Sequence, residues 1–312
     1  MRLKSLLLSC LLFLGITHAN AQSKKDTASI SEENDLMSML NADAPTTQNN
    51  FSTATFKTTR IGNGQSIENV AKGVLDFRIS HRFGTLNQGA IDLFGLDMAS
   101  MRFGLDYGIS KRLMVGIGRS SYLKEYDGFI KFKLLRQTDD NKMPISISYC
   151  GDISAQTNKV TLPDYEVGNR IAYMNQLLIA KKFSPKVSFQ IMPTHIHYNV
   201  VNTKKEPNDI IAVGVGGRVK ITNRVSLTGE YFYQLNQLDN TTNSLTLGID
   251  IETGGHVFQL ILTNSTGITE RNVIGETTGK WSAGDIHFGF NISRVFTVVK
   301  PKGFENSRTK IW

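Results

Sequence analysis

The sequence predicts an all-β fold: an antiparallel up-and-down transmembrane β-barrel of about 12 strands, with short periplasmic turns and longer extracellular loops. Three observations carry this expectation. From Val74 onward, apolar and polar residues alternate with period two in one segment after another. Most of these segments run nine to fourteen residues, beyond the ~5 to 6 of soluble sheets and near the ~9 to 11 that a tilted strand needs to cross a bilayer. A five-residue phrase, apolar, Ser or Thr, any residue, cation, apolar, recurs between segments at 109–113 (ISKRL), 183–187 (FSPKV) and 221–225 (ITNRV). It has the chemistry of a hairpin tip.

The N-terminus has Arg2 and Lys4, an apolar run from Leu6 to Ile16, and small residues at Ala19 and Ala21. This predicts a secretory signal over 1–21, cut near Ala21. A lipoprotein acceptor at Cys10 is disfavoured because it would split the apolar run. Cleavage removes two cations and no acid, so the net charge falls from +8 to +6 over 291 residues. Without a dense basic block or interleaved stacking aromatics, nucleic acid is not an expected partner. Cys150 becomes the only cysteine, so no internal disulfide forms. No later run approaches the ~18 apolar residues of a membrane helix, which excludes a helical span and leaves a β-barrel open.

Residues 22–52 are polar and acidic and read as a flexible periplasmic leader. Within them, 31–40 carries an N-cap type and early acids, and is read as a frayed turn in preference to a short docking helix. The barrel domain spans 53–298, and 299–312 is a C-terminal tail. Strands are expected at 74–83, 98–109, 113–122, 126–137, 144–155, 170–183, 187–200, 209–221, 225–235, 244–252, 256–264 and 285–298. Twelve is even, so both termini are expected in the periplasm. Short turns alternate with longer loops, and only the connection at 123–125 is shorter than that pattern wants. The stretch 53–61, ahead of Gly62, Asn63 and Gly64, is either a further strand or a segment lying against the lumen or rim.

Over 98–109 one phase holds Met101, Phe103, Leu105 and Tyr107, and the other holds Ser100, Arg102, Gly104, Asp106 and Gly108. The first suits lipid and the second a lumen. A soluble β-sandwich would show the same alternation. Strand length, loop asymmetry and tyrosines near strand ends favour the membrane. The expected lumen-lining set is Asp76, Arg78, Arg82, Arg102, Asp106, Lys131 and Lys133. Gly104, Gly108, Gly116 and Gly118 share that face, so long cations can fold over bare backbone. These cations are either an anion-attracting pore wall or, the reading we favour, partners of Asp76, Asp106, Asp152, Asp250 and Glu252 across a plugged interior. The phrase cations Arg112, Lys186 and Arg224 are expected at the periplasmic rim.

Chemistry is sparse. His195 and His197 share a strand face and are weak metal candidates, with a rim pair near the aromatic girdle as the preferred role. His81 and His287 lie beside Ser80 and Ser293 in the chain, but nothing fixes a nucleophile, a base and an orienting acid together. Gly214, Gly216 and Gly217 lie within a strand and form no phosphate loop. No catalytic residue and no cofactor is expected.

The stretches 56–68 (FKTTRIGNGQSIE), 72–84 (KGVLDFRISHRFG), 102–108 (RFGLDYG), 116–122 (GIGRSSY) and 126–136 (YDGFIKFKLLR) resemble a Bacteroidota family of outer-membrane β-barrels known as domain of unknown function 5777. The resemblance covers about 53–296. It implies a barrel at the cell outer membrane, includes 53–61 in the domain, and carries over no site residues. Phe288, Phe290 and Phe296 are similar to the aromatic-ending signal read by barrel-insertion machinery, although the tail departs from a barrel that ends at its last strand. The expectation is a monomer in contact with outer-membrane lipid, acting as a narrow pore, a transport or binding barrel, or a structural protein. The alternatives are an enzyme acting on lipid or glycan, and a secreted sandwich that binds a ligand.

Overall fold

The computed structural model describes residues 51–159, 166–201 and 203–300, all within the compact unit Asn50–Trp312. The expected signal, the 31–40 segment and most of the tail lie outside the described residues. Twelve strands form one closed antiparallel barrel in which each strand pairs with its sequence neighbours and the last returns to the first. They are β1 (Val74–Thr85), β2 (Ala99–Gly108), β3 (Leu113–Ser120), β4 (Glu125–Leu135), β5 (Ser146–Gln156), β6 (Ile171–Lys182), β7 (Val187–Tyr198), β8 (Asp209–Lys220), β9 (Val225–Gln234), β10 (Ser244–Thr253), β11 (His256–Thr263) and β12 (His287–Thr297). Each coincides with an expected segment, shortened or extended by a few residues at its ends. Closure in a single sheet overturns the sandwich alternative.

The two phases of each strand behave in the sense opposite to a soluble protein. Outward positions such as Phe103, Ile117, Ile130, Ile153, Ile191, Ile211 and Leu260 are exposed, while Arg78, Arg82 and Lys131 are among the most deeply buried side chains. An exposed apolar belt around the whole sheet needs lipid as its solvent.

The recurrent phrase forms the same turn three times. The hydroxyl of Ser110 accepts the backbone N–H groups of Arg112 (3.2 Å) and Leu113 (3.0 Å). Ser184 does so for Lys186 and Val187, and Thr222 for Arg224 and Val225, at 3.0–3.2 Å. The carbonyl of each phrase cation then accepts an N–H from the adjacent strand: Lys133 onto Arg112 (2.8 Å), Lys220 onto Lys186 (2.7 Å) and Glu252 onto Arg224 (2.8 Å). The hydroxyl closes the turn, and the residue after next ties it to its neighbour. All three turns, the 136–145 connection and the Gly254–Gly255 turn lie at one end of the barrel. The chain enters and leaves at that same end, where the N–H groups of Val298 and Val299 bond the Gly73 carbonyl at 2.8 and 2.9 Å.

The stretch 53–61 is not a thirteenth strand. Residues 55–70 form a hairpin inside the barrel, closed by Ile61 N–H to Gly64 O (2.9 Å) and Ser66 N–H to Thr59 O (3.0 Å). The mixture of apolar and polar residues over 53–61 suits a strand and an inserted segment alike; Phe56 and Ile61, with Ile67 and Val70 on the returning arm, are buried against the luminal wall.

Candidate functional site

The lumen is the site, and two inserts fill it. From the short-turn end comes the inner hairpin, with residues 61–64 at its tip. The Ile61 carbonyl accepts Gln259 Nε2 (3.0 Å) from β11, and the Gly62 carbonyl accepts Asn291 Nδ2 (2.9 Å) from β12. Asn63 Nδ2 donates to Thr246 Oγ1 of β10 (2.9 Å), and Asn63 Oδ1 accepts Arg82 Nη2 of β1 (2.7 Å). Glu230 of β9 accepts the N–H groups of Asn63 (2.6 Å) and Gly64 (3.1 Å). A Cβ on Gly62 would come within 2.9 Å of Thr246, and one on Gly64 within 2.8 Å of Phe232, so glycine is required where the tip meets the wall. Behind the tip, Lys131 Nζ donates to Gln65 Oε1 (3.1 Å) and to the Ser66 carbonyl (3.0 Å). Arg78 Nη2 reaches Thr58, Thr59 and Asp76 at 2.7–2.8 Å.

From the opposite end, the β11–β12 connection folds inward. Its single π-turn, Arg271–Gly275, is wholly buried. Asn272 Nδ2 donates to Glu125 Oε2 of β4 (2.6 Å), and the Arg271 guanidinium stands 5.0 Å over the Tyr198 ring. Glu276, 2.8 Å from Arg271 Nε, adds its charge to that of Glu125, and together they hold the guanidinium protonated above its ordinary range despite burial. The two inserts meet where Arg60 Nη1 donates to Glu270 Oε1 at 2.7 Å.

The expected luminal residues Asp76, Arg78, Arg82, Arg102, Asp106 and Lys131 are all buried on the inner face. Lys133 is on the same face, half-buried near the short-turn rim, 3.8 Å from Glu68 of the hairpin. Arg102 lies over bare backbone: its guanidinium occupies the space a Cβ would take on Gly104 and on Gly118, and it forms a two-pronged contact with Asp127. The cations therefore meet acids and carbonyls across a filled interior. Among the expected partners, Asp76 pairs with Arg78, but Asp106 accepts Thr59 Oγ1 (3.2 Å) and Glu252 pairs with the hairpin's Lys57. Asp127, Glu230 and Glu270 are the acids that sequence reasoning missed. Asp127 and Glu230 stand in the inward phase of their strands, which was the available signal. Glu270 sits in a loop and gave none.

A recess of about 550 Å³ opens on the long-loop side, lined by Arg82, Ser100, Tyr122, Thr266, Asp285 and His287. A second, of about 420 Å³, opens on the short-turn side between the hairpin and β10–β12. At the mouth of the first, the Lys280 N–H and then Asn87 hold the Asp285 carboxyl below its ordinary pKa. A depressed carboxylate favours the folded loop above its ordinary range and loses that effect only as pH falls through the lowered value, so this anchor persists at neutral pH.

The other candidates disperse. His195 Nε2 and His197 Nδ1 both contact Asp209 Oδ1 at 2.8 Å on the outer, long-loop rim, with Tyr173 stacked on His197. Among the described residues, no group of three or more His, Cys, Asp or Glu side chains is arranged to hold a metal ion. His81 faces outward and stacks on Phe290, whereas Ser293 Oγ donates to Asp76 (2.5 Å) inside and His287 bonds the Phe83 carbonyl (2.7 Å). Neither His81 nor His287 is thus joined to Ser293. Gly214 and Gly216 of β8 leave room for Phe232, Met192 and the hairpin's Ile61.

The profile of a family described as membrane bound beta barrel domain (DUF5777) matches residues 56–296. The chain belongs to that family. The matched region begins in the inner hairpin and ends in the last strand, so hairpin and barrel are one family domain. No curated protein matches the sequence significantly. Among solved structures, the NanC porin is similar at 8% identity and a TM-score of 0.45, covering 72% of this chain and 100% of that one. The KdgM porin gives 6% identity and 0.41 over 72% and 98%, and Omp33 of Acinetobacter baumannii gives 8% and 0.37 over 71% and 97%. Such values carry no solute or mechanism to this member of the barrel family.

Proposed function

We propose that this chain is an outer-membrane barrel that is closed at rest and passes a small polar solute when its inner hairpin withdraws. One observation carries the reading. The hairpin tip is joined to the wall by side chains and shares no ladder with it, while the barrel closes on itself strand to strand. The hairpin can exchange its partners for water without opening a strand pair. It leaves through the short-turn end, where the chain enters the barrel. We read that end as periplasmic after signal cleavage. The same reading takes the protein as a monomer inserted through its aromatic last strand, and it assigns no reaction and no cofactor.

Efflux from vesicles tests this. Vesicles holding the intact protein should retain a small sugar, and those holding a variant with 54–69 replaced by a Gly-Ser linker should release it. A deletion variant that still migrates as a heat-modifiable barrel and yet retains the sugar would contradict the proposal.

A further inference from the structure

The two ends of the barrel differ in charge. Among the described residues, the five connections at the short-turn end carry six cations and two acids, whereas the six at the opposite end carry seven cations and eight acids. One of the two short-turn acids, Asp140, is bonded to Lys142 of its own turn at 3.1 Å. Further cations stand on the last strand residues at this end. Lys181 and Arg294 point outward, toward the surface that meets the apolar belt.

These outward cations rest on aromatic faces. Lys181 Nζ is 5.2 Å from the Phe183 ring, and the Arg294 guanidinium is 5.0 Å from Phe296. Both rings are exposed, Phe183 at 62% and Phe296 at 40%, at the level where the belt ends. A ring at the acyl boundary with a cation folded over it directs positive charge to the depth of lipid phosphates. Lys186 and Arg224, exposed at adjoining tips, extend the same collar.

We infer that the short-turn rim is a binding collar for the phosphate headgroups of anionic phospholipids in the leaflet it borders. Basic turns alone would suit any polyanion. The aromatic-backed cations at the edge of the belt select a lipid, because a soluble acidic partner has no use for a ring placed among acyl chains. The inference does not depend on a withdrawing hairpin or on which leaflet is involved.

The full chain in neutral detergent micelles, titrated with phosphatidylglycerol or phosphatidylcholine and read by native mass spectrometry, tests it. Each cation near an anionic surface is worth roughly fivefold in affinity, so wild type should prefer phosphatidylglycerol by at least about tenfold. The variant Lys181→Gln, Lys186→Gln, Arg224→Gln, Arg294→Gln should bring the two lipids within about twofold. High salt should erase the wild-type preference without any substitution, a readout independent of how well the variant folds. Equal binding of the two lipids by wild type, or a preference that survives in the heat-modifiable variant, overturns the inference. Poly-glutamate binding as tightly as phosphatidylglycerol would overturn it in favour of a soluble acidic partner.

Discussion

Asp127→Ala should destabilise the folded barrel by about 3–5 kcal/mol, the usual cost of leaving one member of a buried ion pair alone. Arg102 is 4% exposed and its guanidinium contacts Asp127 through both Nε and Nη2. It cannot swing away to solvent, because Gly104 and Gly118 form the floor beneath it and the hairpin and loop fill the lumen beyond. The substitution therefore strands a charge in place. The double variant Arg102→Met, Asp127→Leu should recover most of the loss, since removing both charges also removes their desolvation cost. Denaturant unfolding in micelles reads both. A single variant within about 1 kcal/mol of wild type would show that water reaches the pair.

Glu230→Ala should release the hairpin. Its carboxylate accepts two backbone N–H groups at the tip, and hydrogen bonds to a charged acceptor are worth about 1.5–3 kcal/mol each. The substitution also removes a carboxylate whose charge acts on Arg82, which holds the tip through Asn63. The expected result is measurable sugar efflux from a barrel that remains heat-modifiable, with a total loss of roughly 3–6 kcal/mol in hairpin anchorage. Glu230→Gln keeps an acceptor oxygen of the same shape and should show a smaller effect of the same sign. Equal efflux from wild type and Glu230→Ala would mean that other contacts hold the tip.

The barrel was legible because each strand writes its two faces into a period of two, and because one turn chemistry is reused three times. The inward placement of Asp76, Arg78, Arg82, Arg102, Asp106 and Lys131 follows from that period, and the glycine floor under Arg102 from glycines in the same phase. A plugged interior was the favoured reading of the inward cations and acids; which segments plug it was not legible. Residues 56–61 mix apolar and polar side chains, a composition that suits a strand of the wall and a segment packed inside it alike. Glu270 and Asn272 lie in a connection with no period at all, and only the fold shows that it turns inward to meet Arg60. Arg102 gave no sign of choosing Asp127 over Asp106, its own strand neighbour, because that choice is set by the register between β2, β3 and β4.

Cys150 provides the most direct test of a filled lumen. Its side chain is on the inner face of β5, opposite Lys131 in the ladder, and is fully buried. In the intact, heat-modifiable protein, a hydrophilic maleimide should leave Cys150 unlabelled over hours, and replacement of 54–69 by a linker should make it react. Rapid labelling of Cys150 in the intact barrel would show an open lumen and contradict the account.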